Sequence, residues 1–412
     1  MRLRIPPALR ERPYRLFWTG MIVSMAGSQL QLAALHWHIR DLTVTANPMA
    51  LGGIGLARIL PVFLCSPIAG PLADATDRRR IVFITQSAMA VCAGVLALLT
   101  FTGTIALWHL YLLTALQAVA TAFDLPARQA MVPNLVPRSV LANAFTMQSI
   151  AANTGAILGP VLAGVVIATL GQGWAYLFNA LSFLAVLLAL SLIGPLPQEI
   201  RHGAKLGLSA MADGFRFIFT RPIMLSTMLL DFSATFFASA NTLMPIVARD
   251  LLKVGTVGYG WLVAAQSIGS VTAAALLSQV RALRRQGPVF LAAVLAFGAA
   301  TVVFGLSRNF ALSLAALIFV GAADAVSTIV RNTIRQLNTP DSMRGRMTGV
   351  SQLFFQGGPQ LGEVEAGAVA SAFGVPFAIV SGGLATMVVT GVIIAKWPQL
   401  RNYDGPEGPP KN

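Results

Sequence analysis

Residues 70–80 read Gly-Pro-Leu-Ala-Asp-Ala-Thr-Asp-Arg-Arg-Arg, and they stand between two long apolar runs. The stretch carries two carboxylates and three guanidinium groups. A short charged turn between apolar runs is typical of a cytoplasmic hairpin that joins two membrane helices. The turn therefore predicts that the chain is a multi-pass membrane protein.

The composition agrees with this interpretation. Of the 412 residues, 56% are hydrophobic and 11% are charged, whereas soluble proteins carry roughly 25% charged residues. The apolar residues fall in runs of about 20, the length that a helix needs to cross the hydrocarbon core. The runs lack the alternation of barrel strands, so we expect helices. Twelve runs are predicted, near residues 14–40, 48–72, 80–101, 106–130, 139–169, 173–194, 222–248, 257–280, 287–306, 309–334, 342–371 and 374–397.

The distribution of positive charge predicts the orientation. A net charge of +14 could indicate nucleic-acid binding. However, with a cytoplasmic N-terminus, 24 of the 29 Lys and Arg residues fall on the cytoplasmic side and 4 outside, with Arg58 inside the membrane. This asymmetry follows the positive-inside rule. We therefore expect both termini in the cytoplasm, contact with anionic lipids and no nucleic-acid partner.

The chain is predicted to consist of two similar halves. Residues 1–193 and 222–412 each hold six helices, and residues 194–221 form a cytoplasmic linker with an amphipathic segment. An offset of 203 residues aligns eight identical pairs, which indicates a parallel repeat. The pairs are Arg128/Arg331, Pro137/Pro340, Gly155/Gly358, Leu158/Leu361, Gly159/Gly362, Ala163/Ala366, Gly164/Gly367 and Gly171/Gly374.

Two motifs resemble signatures of the major facilitator superfamily of transporters. Residues 70–80 resemble its signature between helices two and three, and residues 155–164 resemble the helix-five signature of its drug antiporters. The resemblance implies a gating role for Gly70, Asp74, Asp77, Arg78 and Arg79. Asp77 stands where the family usually has glycine. The alternative for this turn is a solvated basic loop.

The helix-five motif has a steric interpretation as well. Gly155, Gly159, Pro160 and Gly164 combine small residues with a helix-kinking proline, so they favour close helix packing. Ordinary packing and a gating role are compatible here. Further stretches, near residues 41–61, 126–130 and 361–367, resemble the enterobactin (siderophore) exporter branch of the superfamily.

Ionisable residues within the predicted helices are functional candidates, because charges inside a membrane are costly. We expect proton coupling from Asp231, then from Glu363 and Glu365, with Asp324 as a further candidate. The alternative for Asp231 is a fixed ion pair with Arg58. For the two glutamates it is simple solvation at the headgroup level.

A second set of polar residues is predicted to line a substrate cavity: Arg58, Gln117, Asp124 and Arg128. Asp124 and Arg128 lie one turn apart, so a fixed local ion pair is the favoured alternative for them. The sequence shows no metal-ligand cluster, no nucleotide-binding loop and no catalytic set, so we expect no metal, no cofactor and no enzyme activity.

The predicted fold is an all-α membrane protein with twelve transmembrane helices in two pseudo-symmetric halves. The predicted function is export of a small, siderophore-like molecule by a monomeric proton antiporter of the bacterial inner membrane. Two alternatives stay open: a multidrug or macrolide efflux pump of the same fold, and a non-transporting membrane sensor or scaffold.

Overall fold

The computed structural model describes residues 6–43, 47–194, 215–239, 241–280, 285–340 and 343–405. Within these ranges, it does not describe the side chains of residues 71, 73–74, 344–346, 348–350 and 352–353. Most of the predicted linker therefore lies outside the described residues. Of its amphipathic segment, residues 215–219 are described and are helical.

The described chain is built from long helices, as predicted, and these residues contain no strand. We number the long helices α1 to α12. Their bounds are Arg12–Leu42, Pro48–Ala75, Arg78–Phe101, Leu107–Met131, Leu141–Thr169, Gln172–Ile193, Pro222–Phe237, Gly255–Leu277, Gln286–Leu306, Phe310–Leu337, Arg344–Phe373 and Val375–Lys396. Short helical turns extend the path of α7 to Leu251.

Ten helical segments in the described part are long and apolar enough to cross a membrane by themselves. The other two long helices, α1 and α11, carry more polar and charged residues. Helices of this kind are stable in a membrane where their polar faces pack against protein, because unsatisfied polar groups in lipid are costly. The all-α, twelve-helix architecture predicted from the sequence is confirmed.

The repeat predicted from the sequence recurs in the backbone. Gly171 separates α5 from α6 with φ of +90°, and its counterpart Gly374 separates α11 from α12 with φ of +91°. Residues with a side chain rarely adopt this region, so glycine lets the chain turn between two helices at both places. The two copies therefore share a sequence identity and the conformation that explains it.

The chain divides into two compact units. The first comprises Met1–Val44, Ala57–Gly207 and Gly255–Ala264. In it, α1 packs on α5 and α6, and α3 packs on α4 and α6. Buried Tyr14 donates a hydrogen bond to the carbonyl of Ala144 at 2.6 Å, and the Trp18 indole donates to the carbonyl of Met147 at 2.7 Å. These bonds join α1 to α5.

The second unit comprises Thr45–Leu56, Leu208–Val254 and Ala265–Asn412. In it, α9 packs between α10 and α12, and α11 packs on α7. Its core contains Leu230, Phe290, Val294 and Ile334, each 1% exposed or less. The unit holds a cavity that several polar residues face.

Candidate functional site

A cavity of about 200 Å³ lies between α7, α10 and α11 of the second unit. Each helix contributes residues spaced three or four apart, which places them on one helix face. The walls contain both charged groups and phenylalanines. The lining residues are Thr227, Met228 and Asp231 of α7, Thr328, Arg331, Asn332 and Arg335 of α10, and Ser351, Phe354 and Phe355 of α11.

Asp231 and Arg331 form an ion pair at the wall of this cavity. The side chains are 9% and 5% exposed, respectively. Thr328 lies one turn before Arg331 and accepts a hydrogen bond from its guanidinium at 3.5 Å. Asp231 is nine residues from the start of α7, which puts it about 14 Å along that helix. The pair is therefore buried within a spanning segment.

The structure gives Asp231 a different partner from the Arg58 that the sequence suggested. Neither Arg331 nor Arg335 was among the site residues predicted from the sequence, although both line the cavity. One signal could have found them: Asp324, Thr328, Arg331 and Arg335 form a polar stripe along one face of α10. Asp324 is half-buried on that stripe but is not among the lining residues of the cavity.

Asp124 lies in a separate, buried cluster of the first unit. Its carboxylate accepts hydrogen bonds from Thr85 and Gln86, both at 3.0 Å. Arg128 lies 3.4 Å away, so the local ion pair predicted from the one-turn spacing is present. Three groups already satisfy this carboxylate, so the geometry is that of a structural cluster. The hydrogen bonds from Thr85 and Gln86 join α3 to α4.

Gln117 belongs to a buried polar network that was not predicted from the sequence. Gln31 donates to Gln117 at 2.6 Å, and Asn179 donates to Gln31 at 2.7 Å. Gln117 also donates to the carbonyl of Met89 at 3.3 Å, and Ser182 donates to the Asn179 side-chain oxygen at 3.0 Å. The network joins α1, α3, α4 and α6. Amides such as Gln31 and Asn179 within apolar runs were its signal in the sequence.

Glu363 is 6% exposed, so it is not the solvated headgroup residue of the alternative interpretation. Helix α11 approaches the first turns of α2 very closely here. A Cβ atom at Gly52 would lie 2.7 Å from the carbonyl oxygen of Glu363, and one at Gly55 would lie 3.1 Å from its Cβ. Glu365 and Arg58 are half-buried. Proton coupling by these carboxylates and a cavity position for Arg58 stay predictions.

Arginines of the charged turn of residues 70–80 donate hydrogen bonds to backbone carbonyls near the ends of two helices in the first unit. Arg78 donates to the carbonyl of Ala130 at 3.0 Å, and Arg79 donates to that of Leu190 at 3.1 Å. These oxygens lie near the C-termini of α4 and α6, where positive charge is favourable. A Cβ atom at Gly70 would have no heavy atom of another described residue within 4 Å, apart from its chain neighbours and the backbone of its own helix.

Asp77 serves as the N-cap of α3 in this turn. Its side chain accepts from the backbone N–H of Arg79 at 2.9 Å and of Arg80 at 3.4 Å. Its φ of −63° is one that residues with a side chain adopt readily, so this position does not need the left-handed conformation that favours glycine. Asp74 lies in the last turn of α2, and its side chain is outside the described residues. A gating role for the turn stays a prediction.

The helix-five motif brings backbones close together. A Cβ at Gly155 would lie 3.0 Å from Met25, and one at Gly159 would lie 2.8 Å from the carbonyl oxygen of Ala26. Farther along α5, a Cβ at Gly164 would lie 3.3 Å from the Cα of Gly260. Pro160 is buried in the helix between these contacts.

The repeat copy of this motif also packs its glycines closely against a neighbouring helix. Gly358 and Gly362 of α11 pack on α7 at Thr235 and Phe236, as Gly155 and Gly159 pack on α1. The close packing that the sequence predicted for the motif is therefore present in both copies.

The chain is similar to known membrane transport proteins. Residues 6–411 match the family model described as "Transmembrane secretion effector". The multidrug efflux pump Tap of Mycolicibacterium fortuitum is 27% identical over 407 residues, which cover 95% of this chain and 97% of that pump. The enterobactin exporter EntS of Shigella boydii serotype 18 is 26% identical over 292 residues, which cover 70% of this chain and 69% of that exporter.

Solved structures with the same fold are transporters. The nucleoside transporter NupG has a TM-score of 0.71 at 14% identity, with 95% of this chain and 100% of that chain covered. A bacterial homologue of the human lysosomal transporter Spinster has a TM-score of 0.68 at 15% identity, with 97% of each chain covered. At these identities the structures show the fold alone. The relatives and the fold are those of transporters, not of enzymes. The chain therefore belongs to the transmembrane secretion effector family, within the major facilitator superfamily of multi-pass transporters.

Proposed function

We propose that the protein exports a small organic molecule across the bacterial inner membrane in exchange for protons, by alternating access and with both termini in the cytoplasm. The observation that carries this proposal is the buried Asp231–Arg331 pair at the wall of a polar cavity. Efflux as the direction of transport is supported by the relatives Tap and EntS.

The pair suits proton coupling for an electrostatic reason. An arginine cannot be deprotonated in ordinary conditions, whereas a carboxylate can take up a proton. Protonation of Asp231 would leave the Arg331 charge without its partner in a buried place, which is costly. The net charge of the cavity therefore differs between the ionised and the neutral state of Asp231. Each state favours a different bound molecule. Proton binding and substrate binding are then linked reciprocally.

A siderophore-like anion is the leading substrate, since the EntS relative exports enterobactin and the cavity contains two arginines. A drug or macrolide is the second candidate. It is favoured by Tap, whose match covers nearly the whole chain. Secretion of siderophore by a deletion strain under iron starvation separates them: reduced secretion supports the first, whereas unchanged secretion with intracellular retention of dyes or macrolides supports the second.

The coupling is tested in proteoliposomes that contain a trapped pH-sensitive dye. We expect wild-type protein to couple the addition of a transported drug or siderophore to proton movement, and Asp231→Asn to lose that coupling. Asp404→Asn is the matched control, because Asp404 is an exposed carboxylate near the C-terminus. Normal coupling in the Asp231→Asn protein would contradict the assignment. Absence of any transport by the wild type would favour a sensor or scaffold.

A further inference from the structure

The cavity between α7, α10 and α11 carries more positive than negative charge. Its charged lining residues are Asp231, Arg331 and Arg335, and no other described lining residue is ionisable. Asp231 contacts Arg331. Arg335 lies one turn farther along the same face of α10 and is half-buried. At neutral pH the cavity therefore has one positive charge in excess.

One wall of the cavity is aromatic. Phe354 is held by its neighbours, because its ring lies 6.0 Å from the Phe232 ring at an interplanar angle of 80° and 6.2 Å from the Phe215 ring. Phe355, beside it, is 53% exposed although it lines the cavity. A fixed ring and an exposed ring next to each other offer a surface on which a further aromatic ring can pack.

These features belong to the second half of the repeat alone. At the offset of 203 residues, Arg335, Phe354 and Phe355 correspond to Val132, Ala151 and Ala152. The scaffold positions are thus small or aliphatic in one copy, and cationic or aromatic in the other. The first copy folds without an arginine or an aromatic ring at these positions, so the difference favours a binding surface particular to the second copy.

The volume limits what can bind. Sites for drug-sized ligands usually enclose about 300–1,000 Å³, whereas this cavity encloses about 200 Å³. That space suits a single ring with one acidic group rather than a whole multi-ring molecule.

We propose that this cavity binds a carboxylate carried on a single aromatic ring, with Arg335 as its counter-ion and Phe354 and Phe355 as its ring contacts. The ligand is either a small aromatic acid or one arm of a larger substrate. The proposal names the substrate class for the proposed export function and rests on it for its physiological meaning. An arginine fork matches a carboxylate in two hydrogen bonds.

With Asp231 ionised, Arg331 is engaged by it, and Arg335 is the arginine that faces the ligand. The lining residues of α7 and α11 other than Asp231 carry no titratable group in the described part.

The test measures binding of benzoate to the full-length protein in lipid nanodiscs by titration calorimetry, without a proton gradient. We expect benzoate to bind at least about tenfold more tightly than benzamide, its neutral isostere, and more tightly than acetate, which has no ring. Arg335→Gln weakens benzoate binding about tenfold or more. Arg401→Gln, the same change at an exposed position, leaves the affinity unchanged.

Equal affinity for benzoate and benzamide, or for benzoate and acetate, overturns the proposal, and neither comparison needs a variant that must fold. Unchanged affinity in a folded Arg335→Gln protein also overturns it. Because binding is measured without a gradient, its failure is distinguishable from failure of proton-coupled export. Benzoate binding without coupled transport contradicts only the proposed function. Coupled transport of a dye without benzoate binding contradicts only the present proposal.

Discussion

The Asp231–Arg331 pair makes a quantitative prediction about stability. Asp231→Asn leaves the guanidinium of Arg331, whose side chain is 5% exposed, without a counter-charge. Removal of one partner from a buried pair costs about 3–5 kcal/mol, because the remaining charge stays desolvated. We expect Asp231→Asn to lower the free energy of unfolding by that amount. The double variant Asp231→Leu with Arg331→Met removes both charges, so it recovers most of the loss.

The Asp124–Arg128 pair supplies an internal comparison. Arg128→Met leaves the Asp124 carboxylate with hydrogen bonds from Thr85 and Gln86. The expected loss is therefore smaller, about 1 kcal/mol, similar to one hydrogen bond. The assay is unfolding by SDS titration in lipid–detergent micelles, with Asp404→Asn as the unperturbed control. A loss of less than about 1 kcal/mol in Asp231→Asn, or a double variant no more stable than the single one, would refute this reasoning.

Two further predictions concern helix packing and helix ends. Gly159→Ala places a Cβ atom 2.8 Å from the carbonyl oxygen of Ala26, so we expect a loss of about 1–3 kcal/mol in the same unfolding assay. Gly94→Ala, where the described residues leave 4 Å of open space, is neutral or stabilising by up to about 1 kcal/mol; equal losses in both would contradict the packing interpretation. Asp77→Ala removes the acceptor for the backbone N–H of Arg79, which costs about 0.5–2 kcal/mol. Asp77→Asn keeps an acceptor and most of the stability, and a matching loss in both Asp77 variants would show that the cap is not the cause.

The sequence predicted the helices well because the signals for them are local. A run of about 20 apolar residues and a charged turn act on the residues that contain them. The offset of 203 residues also found equivalent positions without a structure, and Gly171 and Gly374 confirm it with φ values of +90° and +91°. In the same way, the one-turn spacing of Asp124 and Arg128 was enough to predict their contact.

The candidate site was less predictable because it depends on how helices face one another. Asp231 and Arg331 are 100 positions apart, and their contact depends on the depth and rotation of α7 and α10. The spacing of residues along one helix determines neither its depth nor its rotation relative to another helix. Arg128 and Arg331 occupy equivalent positions of the repeat, and each pairs with a buried aspartate. Arg128 takes its partner from its own helix and Arg331 from another, so the repeat predicts the arginine but not its partner.

The measurement that tests the central claim most directly compares two modes of transport by the Asp231→Asn protein. In one, proteoliposomes exchange labelled substrate for unlabelled substrate without a gradient; in the other, a pH gradient drives accumulation. If the Asp231 carboxylate couples proton movement to export, the variant keeps exchange and loses gradient-driven accumulation, while Asp404→Asn keeps both. Gradient-driven accumulation at the wild-type rate in Asp231→Asn would contradict the account.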